Sequence, residues 1–200
     1  MGLCAIQPKS YRPRTTDSRH RLGYSPNLLL SSPPPVGINR IWVGDISCVP
    51  VRGSGFLYLA LLMDLYSRRV VGWELQDHMR ESLVLATLRM AIMLRSPGPD
   101  LIHHTDRGSQ YASHAYQAEF QKYGMVCSMS RKGDCWDNAV AERFFGSLKG
   151  ERTSHRHYQT RREARADVID YIEMFYNSRR KHSYLGYVSP NEYETLAKVA

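Results

Sequence analysis

Three apolar runs follow one another between residues 41 and 76, joined by connections too short to hold a helix. They cover residues 41–49, 56–64 and 69–76, with turns at Arg52-Gly53-Ser54-Gly55 and at Leu65-Tyr66-Ser67-Arg68. Tight connections of this kind join neighbouring antiparallel strands, so the three are predicted to form a meander. The period then changes. From Glu81 to Leu94, Leu83, Leu85, Ala86, Leu88, Met90, Ile92 and Met93 give a broad apolar face at helical spacing, closed by Pro97 and Pro99. A strand at 101–106, a helix from Ala112 to Tyr123 ending at Gly124, and a short strand at 125–129 follow. Next come a helix around Glu142 and an amphipathic helix over 161–178 with the stripe Val168, Tyr171, Ile172 and Phe175. Strands reached through helical crossovers return parallel to a strand already in the sheet. The order therefore predicts an α/β fold with a mixed five-stranded sheet, three antiparallel strands and then crossover strands, flanked by helices.

At 200 residues, with 42% apolar and 23% charged side chains, the chain has the make-up of one globular domain with a sizeable core. No apolar run approaches the ~18 residues of a membrane span, so no membrane partner is expected. Cys4, Cys48, Cys127 and Cys135 form no C-x-x-C pair and no zinc-finger spacing, as expected of reduced thiols in a cytosolic protein. The formal charge is +8, and the basic residues are clustered. Residues 1–40 hold Lys9, Arg12, Arg14, Arg19, Arg21 and Arg40 against the single acid Asp17. A second concentration runs from Arg131 to Arg165, and a third is Arg179-Arg180-Lys181-His182. Such stripes either solvate a surface or neutralise phosphates. Residues 1–38, with Pro8, Pro13, Pro26 and the run Pro33-Pro34-Pro35, have no sustained period and read as a basic, proline-rich tail or linker. Residues 39–193 are expected to be the core, with a short tail over 194–200.

Three carboxylates stand out. Asp45 lies inside the first apolar run, where strand alternation puts it on one face with Val43 and Ser47. Asp106 ends the fourth strand, just before the turn Arg107-Gly108-Ser109-Gln110-Tyr111. In open α/β sheets ligands gather outside the carboxyl ends of strands. Glu142 borders a helical stripe of Ala141, Phe144, Phe145 and Leu148, with Lys149 seven residues on and nearly on its face. Each acid alone has a plainer reading: an edge aspartate accepting backbone hydrogen bonds, a turn cap, a solvated glutamate. Together, three ionisable groups beside a core call for something to offset their desolvation, and one shared site for divalent cations would do so. Gly146 costs its helix about 1 kcal/mol relative to alanine. It suits a helix that a DNA backbone must approach. Asp64 is a rival acid at a strand end; His103 and His104 precede Asp106 and are read as packing groups or as side chains that support it.

The order of elements is that of ribonuclease-H-like folds, and the local motifs are more specific. The chain resembles the catalytic core of bacterial insertion-sequence transposases related to retroviral integrases, in the portion encoded by the second of two reading frames. The stretches that carry the resemblance are Trp42-Val43-Gly44-Asp45-Ile46, Leu57-Tyr58-Leu59-Ala60, Met63 to Arg68 and His104 to Tyr111. They continue with Ser128 to Gly133, Trp136-Asp137-Asn138-Ala139, Ala141-Glu142, Phe144-Phe145 and Leu148-Lys149. Phe175-Tyr176-Asn177, Arg180, His182 and Leu185-Gly186-Tyr187 complete the set, so the likeness runs from about residue 39 to 193. The family's acidic triad has 35 residues between its second and third members, as do Asp106 and Glu142 here. Arg143 stands where that family usually has a small polar residue, and Cys48 where an aromatic is common. The helical DNA-binding region usual upstream in the family has no counterpart in residues 1–38.

By this resemblance Asp45, Asp106 and Glu142 would be both catalytic and metal-binding, holding two Mg²⁺ ions, with Mn²⁺ able to substitute. The expected reaction is DNA cleavage followed by attack of the freed 3′-hydroxyl on a second phosphodiester. Lys149, Arg107, Arg131, Lys132, Arg143, Arg180 and Lys181 are the expected DNA contacts. Element ends and target DNA are the expected partners, bound by a homo-oligomer in the bacterial cytoplasm at the nucleoid. Two alternatives stay open: a cleavage-only ribonuclease-H-like nuclease, and a non-catalytic fragment that binds DNA or the full transposase.

Overall fold

A computed structural model describes residue 20, residues 22–131 and residues 138–198. Its sheet contains β1 (Ile41–Val51), β2 (Gly55–Asp64), β3 (Val70–Gln76), β4 (Ile102–Thr105) and β5 (Val126–Met129), in the order β3-β2-β1-β4-β5. β1–β2 and β2–β3 pair antiparallel, while β4 joins β1 in parallel and β5 joins β4 in parallel. The predicted mixed sheet is the one observed. β1 is central and hydrogen-bonded on both sides, and helices cover both faces. That is why β1 and β2 are apolar almost throughout rather than alternating.

The helices are α1 (Glu81–Arg95), α2 (His114–Tyr123), α3 (Ala139–Glu151), α4 (Arg161–Ile169) and α5 (Pro190–Ala197). Two cores result. Trp42, Ile46, Ala60 and Leu62 pack with α1 and α2 on one side of the sheet. Val43, Val49, Leu59, Leu61 and Met63 pack with α3 and α4 on the other. α1 can approach β3 closely because Gly72 has no side chain: a Cβ there would lie 2.5 Å from the Thr87 carbonyl oxygen. α2 starts at Ser113, which accepts from the Tyr116 N–H, and ends on Gly124 in the left-handed conformation.

The expected helix over 161–178 is two pieces. α4 gives way to a π-helical stretch, Asp170–Tyr176, which adds a residue per turn and buries Tyr176 alongside Tyr171 and Ile172. The stretch delivers Asn177 to β3, where its amide pairs both the N–H and the C=O of Val70 at 2.9 and 3.0 Å. The expected core boundary at 193 falls inside α5. Glu194 in that helix is buried, meets Arg69 at 2.8 Å and Arg95 at 2.7 Å, and accepts from Ser67. Asp64 is likewise structural: it is fully buried and accepts from the backbone N–H groups of Asn39, Tyr66 and Ser67. The described part of the proline-rich segment lies against β5, with the Leu28 N–H on Ser128 Oγ and the Met129 N–H on the Pro26 carbonyl. Among the described residues no helix is long and apolar enough to cross a membrane.

Candidate active site

Strand parity decides which way Asp45 faces. Val43, Val49 and Val51 pack in the α3–α4 core, and Asp45 shares their parity, so it faces α3. β4 runs parallel to β1 with Val43 opposite His104. That register, carried two residues on, sets Asp106 level with Asp45 on the same face, one strand spacing away. Asp106 is fixed by the Gly108 N–H, which donates to its Oδ1 at 2.9 Å. The start of α3 is pinned beside them, because Asn138 Nδ2 donates to the Gly44 carbonyl oxygen at 3.2 Å. Glu142 follows Asn138 by four residues, one turn up the same face of the helix. Ala141, Phe144, Phe145 and Leu148 bury the opposite stripe, as their spacing predicts.

The electrostatics bear the marks of that arrangement. Asp45 is partly exposed as a residue, yet its carboxyl is pushed up to about 8. Burial is the main cause, with Asp106 and then Glu142 adding repulsion; the Ile46 N–H at 2.7 Å and the Lys149 charge oppose them. The Tyr111 hydroxyl is buried against the same acids, is pushed well above its ordinary value by burial, Tyr116, Asp106 and Asp45, and has no hydrogen-bond partner among the described residues. Asn138 Oδ1 is also buried without a partner among them. Asp106 and Glu142 are thus each within electrostatic reach of Asp45. They are not drawn into contact: among the described residues no three His, Cys, Asp or Glu side chains are grouped to hold a metal ion as they stand. Glu142 is exposed on its helix, and mutual repulsion of the carboxylates favours that spread.

The expected DNA contacts fare differently. Lys149 is exposed on the Glu142 side of α3, and Arg143 is exposed a quarter-turn round the helix. Arg131 and Lys181 are exposed, and Lys132 lies outside the described residues. Arg107 is engaged internally, donating to the Ser130 carbonyl at 2.7 Å and stacking 4.8 Å from the Tyr24 ring centre. Arg180 is paired with Glu151 at 2.6 Å. His103 and His104 are buried packing groups, bonded to the Tyr116 hydroxyl at 3.1 Å and to Ser128 Oγ at 2.8 Å; burial pushes His103 down to about 3. Asn138 and Tyr111 were not singled out from the sequence. Their signals were present: one turn before Glu142, and the end of the turn that follows Asp106.

Comparison with known proteins bears on the family and the fold. Integrase core domain families match residues 36–135 and residues 142–197. The chain is 42% identical over 190 residues to an insertion element IS600 uncharacterized 31 kDa protein of Shigella sonnei, covering 95% of this chain and 69% of that one. It is 41% identical over 169 residues to the transposase for insertion sequence element IS904 of Lactococcus lactis, covering 84% and 66%. It is 42% identical over 189 residues to transposase InsF for insertion sequence IS3A of Escherichia coli, covering 94% and 63%. The chain thus spans about two thirds of the length of the curated relatives it matches. In fold it resembles a chain of the simian T-cell lymphotropic virus intasome, with TM-score 0.67 and 16% identity over 90% of this chain and 61% of that one. It also resembles the catalytic core domain of BIV integrase, with TM-score 0.56 and 14% identity over 80% and 96%. The sheet order and these likenesses make the fold ribonuclease-H-like, and the chain belongs to the integrase core domain family, with bacterial insertion-sequence transposases as its relatives.

Proposed function

We propose that Asp45, Asp106 and Glu142 jointly hold divalent cations, and that the chain carries the core of a DNA transposase that cleaves DNA and joins the freed 3′-hydroxyl to a second phosphodiester. The observation that carries this reading is Asp45. Burial and two neighbouring acids work against its ionisation, a condition that a hard cation would reverse. The donor set supports the fit: three carboxylates on separate rigid elements are the hard oxygen ligands that suit Mg²⁺, with Mn²⁺ a substitute. Bound there, a pair of such ions supplies activation of the attacking oxygen and charge stabilisation at the leaving one.

The chain's own residues do the rest. Asp45, level with Asp106 and facing α3, is the central carboxylate. Asp106 is held in place by the Gly108 N–H. Glu142 is carried to the same side by α3. Lys149, on nearly the same helix face, meets a phosphate of the bound strand. Gly146 and Gly150 leave that side of α3 bare, since a Cβ added at either would find nothing within 4 Å, and a DNA backbone can approach it. Water and then a 3′-hydroxyl are the attacking groups, so no protein nucleophile is required. The core is proposed to run from about residue 39 through α5. Joining two element ends to one target needs two such sites, so the reading includes a homo-oligomer on DNA.

The test uses pre-cut terminal-repeat DNA with Mg²⁺ or Mn²⁺. Wild-type protein joins the ends to target DNA, while Asp45→Asn and Glu142→Gln, each folded by circular dichroism, do not. Joining that survives in Asp45→Asn would end the assignment. Cleavage without joining in the wild type would favour a nuclease.

A further inference from the structure

Helix α3 has a second polar face. Arg143 lies about 100° round the helix from Glu142 and opens onto a cleft of about 580 Å³. Arg68, from the β2–β3 turn, and Arg180, Lys181, His182 and Tyr184, from the segment between the π-helical stretch and α5, form its other walls. The volume is that of a small-ligand site, for which about 300–1,000 Å³ is usual.

Among the described residues the charge in this cleft is unbalanced. Arg180 is held by Glu151, but Arg68, Arg143 and Lys181 make no ion pair among the described residues. Nη1 of Arg68 and Nε2 of His182 are both buried with no hydrogen-bond partner among the described residues. A buried polar atom left without a partner is costly, more so on a charged donor such as the Arg68 guanidinium. Arg68 is also held in the left-handed backbone region at φ 60°. Burial pushes its guanidinium below its ordinary value, although Tyr184 opposes this, and the Arg143 charge lowers it further. Burial, then Arg180, push His182 down to about 4. An anion in the cleft would pair with the open Arg68 donor and offset the excess of positive charge around it.

The rings say which anion. The Arg68 guanidinium stacks 4.1 Å from the Tyr184 ring centre, yet Tyr184 is 61% exposed and Tyr187, also on the cleft, is 69% exposed. Cations beside open aromatic faces are how proteins hold single-stranded nucleic acid, the phosphate on the cations and the base on the ring. Bases within a duplex are already stacked and would leave these rings unused.

We propose that this cleft binds an unpaired nucleotide of a DNA strand, with its phosphate against Arg68, Arg143 and Lys181 and its base on the open face of Tyr184. The proposal rests on the reading that the chain works on DNA, and is independent of the carboxylate chemistry. Binding is measured in EDTA at one fixed salt concentration, by fluorescence anisotropy of a blunt duplex and of the same duplex with a short oligothymidine overhang. The overhang DNA binds the wild-type chain more tightly. Tyr184→Ala, at an exposed position that does not endanger the fold, weakens overhang binding by about 5- to 100-fold and duplex binding by less than about twofold. Tyr184→Phe retains the overhang preference. Arg143→Gln weakens overhang binding and lowers its salt dependence by about one charge. Equal affinity for the two DNAs, or equal losses on both in Tyr184→Ala, overturns the cleft assignment alone. Binding to neither DNA overturns the DNA reading with it.

Discussion

Replacing Asp45 by asparagine is expected to stabilise the metal-free protein while removing its activity. The folded-state carboxyl titrates near 8, against an ordinary value of 3.8. Between those values the unfolded chain has released a proton that the folded chain still holds, so stability falls as pH rises. Each unit of separation is worth about 1.36 kcal/mol, so the penalty at pH 7 reaches a ceiling of about 4 kcal/mol, reduced by whatever water reaches the carboxyl. It is absent below pH 3.8, grows up to about pH 8 and is constant above. Asparagine keeps the oxygen that accepts from the Ile46 N–H but has nothing to ionise. Urea denaturation of both proteins in EDTA at a series of pH values isolates Asp45 and the charges coupled to it, because the titrations of groups out of its reach cancel in the difference. Asp45→Asn should exceed wild type by about 2–4 kcal/mol at pH 7, with the margin vanishing near pH 4. Mg²⁺ should then stabilise the wild type at pH 8 and leave the variant nearly unchanged. A variant less stable than wild type, or a margin independent of pH, would refute the reasoning.

Other substitutions test the scaffold. Gly72→Ala forces a methyl against the Thr87 carbonyl and Ala91, and should cost about 1–3 kcal/mol by urea midpoint with an unchanged slope. Gly146→Ala fills open space in a helix interior and should stabilise by about 1 kcal/mol, read as a raised Tm. Burial alone would raise the Glu194 carboxyl, but hydrogen bonds from Arg95, Ser67 and Arg69 outweigh it and hold the group below 4.5. Its contribution is therefore present above pH 4.5 and lost as pH falls through the lowered folded value. Glu194→Gln should cost about 3 kcal/mol at pH 7 by leaving Arg95 uncompensated, and the difference from wild type should shrink in acid.

How much was legible in the sequence depends on how local each signal is. The meander announced itself because apolar runs and short turns are contiguous, and Asp45 could be assigned a face from Val43 by parity alone. Gly124 ended α2 as expected, since an αL stop is a one-residue signal. The split of the 161–178 helix was not visible, because the π-helical stretch is set by Tyr176 docking and by Asn177 reaching β3, both long-range events. Helix α5 was missed although Ser189-Pro190-Asn191-Glu192 carries a capping serine, a proline at the first helical position and an acid in the first turn. The internal engagement of Arg107 and the packing of Leu28 on β5 come from an extended segment without period, where sequence offers little to read. The cleft at Arg68 draws on three separate parts of the chain, and only the fold brings them together.

The central claim is that Asp45, Asp106 and Glu142 share a cation site, and Mn²⁺ anomalous scattering from crystals of the chain tests it most directly. The account predicts density bounded by oxygens of all three side chains, with Glu142 swung in from its exposed position. Mn²⁺ bound elsewhere, or at the two aspartates with Glu142 still turned to solvent, would contradict it.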